Sequence, residues 1–467
     1  MAGAARIWLA LAGLVGGVLC AGAAPWAVMA ATVTAPLCAA RRWASWRAVG
    51  VVAVAFAFGA ANAAVRSPER APLAALATGV PSCHVTGRTL EDAGGLGILA
   101  AADRAECAGD VVPDAGAVFL DDAAIGPGRR FTAEGWLVPL GPAAFDRARG
   151  RAGAAASFRA TSVEDRGSAS PVHGAAERVR TALARAVAPL GLSGQLLRGL
   201  TIGDTGGIDP ATEETLRRSG LAHLLAVSGS NVAILLAAVA FALRRARFVA
   251  RVGACAAALA SFLAVVGPDA SVLRAAAMGA IALVALAYGR RTEPLHALGL
   301  ALLALVAVRP GIVYSTGLHL SAAATAGIVL WSRPLSQRLT RLPAPVAAAV
   351  AATVAAQAAV APLLAGVFGR VPLGGLPANV LAMAAVPPAT ILGLAAAATA
   401  PFAEVPATLF ARAAAPFAGW ILRVGEIFAA PSWASPAVPP GWGIFLAIPV
   451  VIAAARSVAA ALRPRAA

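Results

Sequence analysis

Twelve apolar runs, separated by charge or by Gly and Pro, decide what this chain can fold into. They lie at about 7–23, 26–40, 48–65, 222–243, 249–267, 271–288, 295–308, 312–331, 345–367, 375–398, 405–424 and 442–461. A helix needs about 20 mainly apolar residues to cross the hydrocarbon core of a bilayer, and most of these runs approach that length. The runs at 26–40 and 295–308 are short enough to be re-entrant instead. Composition argues against a water-soluble alternative. The chain is 59% hydrophobic and 13% charged, where soluble domains are about 45–50% apolar and about 25% charged. In water the excess would be left as exposed apolar patches. The expectation is an all-α polytopic membrane protein of about twelve membrane segments, with one small extracytoplasmic β domain inserted.

Every one of the 38 basic residues is Arg. Without Lys there is no Walker A loop, whose Lys reaches the nucleotide phosphates, and no Schiff-base chemistry. Residues 66–170 hold 11 Arg against 13 Asp and Glu, which leaves 27 Arg and 9 acids for the rest. The positive excess therefore belongs to the apolar part, where it reads as orientation by the positive-inside rule before it reads as a nucleic-acid patch. The clusters are Arg41/Arg42/Arg47, Arg244/Arg245/Arg247/Arg251, Arg290/Arg291, Arg333/Arg338/Arg341 and Arg463/Arg465. With the N-terminus inside, strict alternation of spans puts all five on the cytoplasmic side and residues 66–221 outside. Both termini are then cytoplasmic, in a multi-pass protein of the cell membrane. The Ala-Gly-Ala-Ala after the first run has the look of a cleavage site. Removing that run would break the alternation, so it is read as a span.

The chain divides accordingly into N-terminal transmembrane helices (1–65), an extracytoplasmic β domain (66–170), amphipathic or interfacial helices (171–220), a central membrane block (221–400) and C-terminal transmembrane helices (401–467). Short β-like stretches around Val118-Phe119-Leu120 and Trp136-Leu137-Val138, punctuated by Gly and Asp, mark the β domain. Residues 151–173, rich in Ala, Gly and Ser, read as a flexible connector that would expose Ser157. From Glu177 to Leu200 apolar residues recur at helical spacing with Arg178, Arg180 and Arg185 between them. This predicts one amphipathic helix on the membrane or against the membrane block. Of the five Cys, only Cys83 and Cys107 lie in the outside region, where oxidation is favoured, and a disulfide between them is expected. Cys20, Cys38 and Cys255 sit in apolar runs as small hydrophobes. The five His are scattered and no Cys/His spacing reads as zinc ligation, so no metal and no cofactor is expected.

The chemistry-bearing candidates are polar residues inside apolar runs. Ser228-Gly229-Ser230-Asn231 interrupts one run, and irregular backbone at membrane depth is tolerated only where it lines a cavity or is buried in protein. A half-helix starting near Ser230 would offer free N–H groups and a positive dipole end to a phosphate. Alternatively, the small residues only let helices pack closely. Arg274 lies early in its run. It is either a phosphate contact at a channel mouth or a snorkelling cation paired with Asp269 or with headgroups. Gln357, Asn379 and His319 are neutral donors, equally suited to joining helices and to lining a polyanion path that must release each phosphate. Asp209-Pro210 signals a helix start, which leaves Asp204 unexplained by capping. No carboxylate pair and no nucleophile with a base is visible, and the chain reads as a non-enzyme.

Four ordered segments carry a family resemblance. GLTIGDTGGIDPATEETLRRSGLAHLLAVSGSNVAIL (199–235) resembles the hallmark segment of the ComEC-type competence proteins: a Gly-Asp turn, a short polar helix, then entry into the membrane through His-Leu-Leu and Ser-Gly. SVLRAAAMGAIALVALAYGRR (271–291) is similar to the family's Arg-bearing helix. GLHLSAAATAGIVL (317–330) resembles its Gly-Phe-Gln-Leu-Ser helix, with His319 in place of Gln. AAQAAVAPLLAGVFGRVPLGGLPANVLAMAAVPP (355–388) resembles its Gln and Ala-Asn helices. The match covers roughly 195–400. Where the family often has Leu-His after Ser-Gly, this chain has Ser230-Asn231.

The resemblance implies a channel that imports single-stranded DNA across the cytoplasmic membrane during natural transformation, with an OB-like domain at 66–170. Its DNA path would be lined by Asp204, His223, Ser228, Gly229, Asn231, Arg274, His319, Gln357 and Asn379. Many family members also carry a metallo-β-lactamase-like domain with a His-x-His-x-Asp-His cluster, which this sequence does not contain. An extracytoplasmic DNA receptor, a separate nuclease and a cytoplasmic motor are therefore expected partners, besides membrane lipid. The competing readings are a small-solute permease, which also uses broken helices, and a membrane scaffold docking partners through 66–200.

Overall fold

The structure, a computed structural model, describes residues 72–92, 98–121, 125, 128–141, 149, 154–225, 227–439 and 442–462. The three apolar runs expected within 1–65, together with Cys20, Cys38 and the Arg clusters at 41–47 and 463–465, lie outside the described residues. Two compact units emerge among the described residues, one within 178–301 and 316–462, the other within 72–177 and 302–315.

The second unit contains a β-barrel. A short helix α1 (Pro72–Leu76) precedes β1 (Ser82–Asp92), β2 (Ile98–Cys107), β3 (Asp110–Asp121), β4 (Arg129–Pro139) and β5 (Ala156–Ser168). The strands close in the order β1-β2-β3-β5-β4, with β3 and β5 parallel and the other pairs antiparallel. Five strands in a Greek-key barrel is the architecture of OB-like domains. Period-two alternation drives closure. In β4, Phe131, Ala133 and Leu137 face inward while Arg130, Glu134 and Trp136 face outward. Phe131 and Leu137 join Val85, Val118, Leu120 and Phe158 in the core. The register shifts between Thr86 and Gly87, where a Cβ on Gly87 would stand 2.1 Å from the Ala101 carbonyl oxygen. Such a bulge bends the strand and increases its twist, as closure of a small barrel requires.

Cys83 and Cys107 face each other in the β1–β2 register, with Cα atoms 4.2 Å apart, and form the expected disulfide. At one rim Arg149, 6% exposed, pairs with Asp121, donates to Ser157 Oγ at 2.6 Å and lies over the Phe119 ring. On the surface the Arg129 guanidinium donates to both oxygens of Asp165, and that hydrogen bond holds the Asp165 carboxyl below the usual range. The stretch expected to be a flexible connector is largely β5. Ala156, Ser157 and Phe158 are buried at its start, because Phe158 fills the barrel and Ser157 bonds Asp121. Small residues here serve strand packing rather than mobility.

The helices from residue 171 onward are α2 (Pro171–Val187), α3 (Gly191–Ile202), α4 (Pro210–Arg218), α5 (Gly229–Ala242), α6 (Phe248–Val266), α7 (Ala270–Ala287), α8 (Pro294–Val308), α9 (Thr316–Ser336), α10 (Ala344–Phe368), α11 (Gly375–Ala382), α12 (Val386–Thr399), α13 (Glu404–Ala429) and α14 (Trp442–Leu462). The single amphipathic helix expected from Glu177 to Leu200 is two. A 3₁₀ turn at Ala188–Leu190 separates them, because Pro189 lacks an N–H donor and Gly191 adopts a positive φ of 56°. α3 takes the second of the two expected placements, against the helical block: Leu196, Leu197 and Leu200 pack with Leu216, Leu221, Ala378, Ala389, Ala414 and Ile421.

Four described helices, α6, α7, α10 and α13, are long and apolar enough to cross a membrane, or five if α11 and α12 form one span bent by 55°. The described residues hold nine of the expected runs, so the count falls short there, for reasons of length and punctuation. α5 and α8 have 14 and 15 residues, or about 21 and 22 Å at 1.5 Å per residue, against a core of about 30 Å. On α9, a Cβ on Gly327 would stand 2.6 Å from both the Ala355 carbonyl oxygen and the Ala359 Cβ of α10, a close approach that only a small residue permits.

Candidate functional site

Within the helical unit the predicted residues other than His319 fall into three groups. The first forms where the apolar run at 222–243 breaks. Ala222–Leu224 is a 3₁₀ turn, and α5 begins only at Gly229, with extended backbone at Ser228. The Ser228 side chain caps no N–H of the helix; its hydroxyl meets Ser230 Oγ at 2.5 Å and Asn231 Oδ1 at 3.2 Å. Asn231, 1% exposed, donates from Nδ2 to the Leu200 carbonyl at 2.7 Å. On α7, Ser271 donates to the Val227 carbonyl at 3.2 Å. Two further side chains thus hold the break against its neighbours.

Arg274 completes this group. It is 4% exposed, and its Nη2 lies 2.7 Å from where a Cβ on Gly229 would stand. Its Nε donates to Ser321 Oγ of α9 at 2.9 Å, and Nη1 contacts Met278 Sδ at 3.2 Å. These partners are neutral, and Asp269, one of the alternatives open to the sequence, is not among them. His319, two positions before Ser321, is exposed. Ser321 was missed by sequence reasoning, although a hydroxyl inside an apolar helix is the kind of signal that marks a buried polar contact.

A second group gathers around the loop before α11. Gln357 donates to the Pro372 carbonyl at 2.5 Å, and its Oε1 lies 3.2 Å from where a Cβ on Gly375 would stand. Asn379 donates to the Gly375 carbonyl at 2.7 Å. The Cα of Gly375 in turn lies 2.7 Å from the Cβ position of Gly220, whose carbonyl meets His223 Nδ1 at 3.2 Å. His223, Gln357 and Asn379 are therefore gathered around one glycine-to-glycine contact between the 220 turn and the start of α11.

The third group is the Gly-Asp turn. α3 ends on Gly203, and Asp204 pairs with Arg198 while accepting from the Gly206 N–H at 3.2 Å. It is bonded within this turn rather than at a helix start, which explains why no capping pattern accounted for it. Asp209 is the N-cap of α4 and accepts from Thr212, and those hydrogen bonds hold its carboxyl below the usual range. Gln195 Oε1 and Arg198 Nε, beside the turn, are buried without a hydrogen-bond partner among the described residues. Among the described residues no group of three His, Cys, Asp or Glu side chains stands together as a metal site. The arrangement is one of neutral donors and a buried guanidinium around broken helices, suited to holding an anion weakly and letting it go.

A family model described as "Competence protein" matches residues 200–461, more than half of the 467-residue chain and all three groups except the start of the Gly-Asp turn at Gln195 and Arg198. No curated protein and no solved structure matches the chain.

Proposed function

Because this chain belongs to the competence protein family, we propose that it forms the conduit through which a single DNA strand crosses the cytoplasmic membrane. Its apolar helices make it a membrane protein, and its family gives it a role in DNA uptake. The observation that best supports the finer reading is the broken run at Ser228–Asn231, braced by Asn231 on Leu200 and faced by the buried Arg274. Half-helix ends and neutral amides at membrane depth are the devices by which transporters hold a charged substrate briefly. In this reading the protein is multi-pass, with about twelve segments, cytoplasmic termini and the barrel outside. It is not itself an enzyme: a receptor delivers the DNA, a separate nuclease removes the complementary strand, and a cytoplasmic motor draws the other strand inward.

Deleting the gene should abolish transformation and entry of labelled DNA into the cytoplasm while growth stays normal. Normal uptake in the deletion strain would reject the conduit and favour a permease or scaffold.

A further inference from the structure

We infer that one end of the α5–α6–α7 bundle, at residues 241–251 and 288–291, docks anionic phospholipid headgroups, through guanidiniums laid over aromatic rings at the edge of an apolar wall. The inference rests on these helices crossing a bilayer and not on what passes the membrane beside them. The three helices are neighbours: a Cβ on Gly279 of α7 would stand 3.3 Å from Leu236 Cδ1 of α5 and 3.4 Å from Leu259 Cδ2 of α6. The links at 243–247 and 267–269 are short, and short links make consecutive helices antiparallel. The end of α5, the start of α6 and the end of α7 therefore share one end of the bundle. With 19 and 18 residues, α6 and α7 are about 28 and 27 Å long, close to a hydrocarbon thickness of about 30 Å. That length puts the shared end at the level of the headgroups.

What stands there is cationic without an internal counter-charge. Arg244, Arg245 and Arg247 are exposed and Arg251 is half-buried, with Arg290 and Arg291 exposed just after α7. Among the described residues none of the six pairs with a carboxylate. Residues 229–268 contain no Asp or Glu, and Glu293, beside Arg291 in sequence, meets His296 Nδ1 at 3.0 Å. Two guanidiniums lie on rings one turn away. Arg244 stands over Phe241, 4.5 Å from the ring centroid, and Arg251 over Phe248 at 5.8 Å, both within the reach of about 6 Å for a cation–π contact. Phe241, Phe248 and Tyr288 are themselves exposed, and so are Val249 (80%), Val284 and Leu286. Water leaves such an apolar margin unsatisfied. At a bilayer boundary aromatic rings sit at headgroup level, with acyl chains against the aliphatic side chains beside them. A phospholipid meets both demands, its phosphate on the guanidiniums and its chains on the Val and Leu wall. A choline headgroup would bring one more cation to rings already faced by Arg, whereas phosphatidylglycerol brings none. A nucleic acid strand would match the charge but leave Val249 and Leu286 in water.

The full chain, purified in detergent and offered phosphatidylglycerol and phosphatidylcholine in equal amounts, should retain the first over the second in native mass spectrometry. Arg244→Gln with Arg245→Gln should reduce that preference by about fivefold or more, since one Arg near an anionic surface is worth about that factor. Arg338→Gln with Arg341→Gln removes the same charge from another exposed turn and should leave the preference intact. Phe241→Leu with Phe248→Leu keeps every Arg and the apolar bulk but removes the rings. It should also lower the preference, so the test survives if the Arg variant fails to insert. Equal retention of the two lipids by the wild type overturns the inference, as does an equal loss in the Arg338 and Arg341 control. An undiminished preference in both the Arg244 and Arg245 variant and the ring variant overturns it as well. Binding of a labelled single-stranded oligothymidine that is lost with Arg244 and Arg245, and that phosphatidylglycerol vesicles do not displace, would assign the surface to a nucleic acid strand and overturn the lipid.

Discussion

The Asn231 amide donates to the Leu200 carbonyl over 2.7 Å, and so ties the first turn of α5 to the last turn of α3 across 31 positions of sequence. Carbonyls in the last turn of a helix have no partner within it, and this side chain supplies one inside the protein. The same bond fixes the helix start that faces Arg274. Asn231→Ala should leave a buried carbonyl unsatisfied, at about 1–3 kcal/mol, and Asn231→Asp, which cannot donate, should do no better. Thermal unfolding of the purified variants and transformation frequency should fall together. Wild-type values for both would deny the contact any role.

Gly327→Val should destabilise the α9–α10 contact. The Ala355 carbonyl oxygen and the Ala359 Cβ already lie 2.6 Å from the Cβ position, so the larger side chain forces the helices apart at about 1–3 kcal/mol. Gly253→Ala on α6 is the control, since nothing lies within 4 Å of its Cβ position. Unfolding temperatures in detergent should drop for the first and hold for the second; equal values would mean that the close approach is unimportant.

The Cys83–Cys107 bridge should appear in non-reduced protein as a mass two hydrogens below that of the dithiol. Replacing both with Ser should lower the stability of the barrel by about 3 kcal/mol on the chain-entropy view of a loop of this length. Two free thiols in protein isolated under non-reducing conditions would contradict both expectations.

Topology is open to labelling with an impermeant thiol reagent. Ser157 is a poor reporter, being 5% exposed and bonded to Asp121. Thr161→Cys, on an exposed part of β5, should label in cells whose outer layers admit the reagent, while Arg290→Cys, also exposed, should label only after lysis. The reverse pattern would invert the orientation drawn from the Arg clusters.

Where a single local rule governed, the sequence was readable. The runs at 249–267, 271–288 and 345–367 became α6, α7 and α10 with ends moved by at most one residue, because Arg, Gly and Pro punctuate them sharply. Asp209 before Pro210 announced α4. The disulfide was legible because only two Cys stand in that region. What could not be read depended on partners distant in sequence. Arg274 meets Ser321 47 positions away, and Asp204 is claimed by Arg198, whose pairing no spacing rule describes. Ala- and Ser-rich β5 looked like linker because its burial comes from strands that precede it, and the choice for α3 between the membrane surface and the helical block stayed open because the helices that cover it come later in the chain.

The parallel pairing of β3 with β5 has a consequence for how the barrel is made. β1 through β3 can zip as neighbouring hairpins, and Cys83 and Cys107 meet within the first of them. The ring stays open until residues 156–168 arrive to fill the slot between β3 and β4. Until then two strand edges stand bare, and bare edges recruit other chains. Assembly order is therefore written into the topology: the covalent clasp can be set early, and the last strand to emerge is the one that seals the wall.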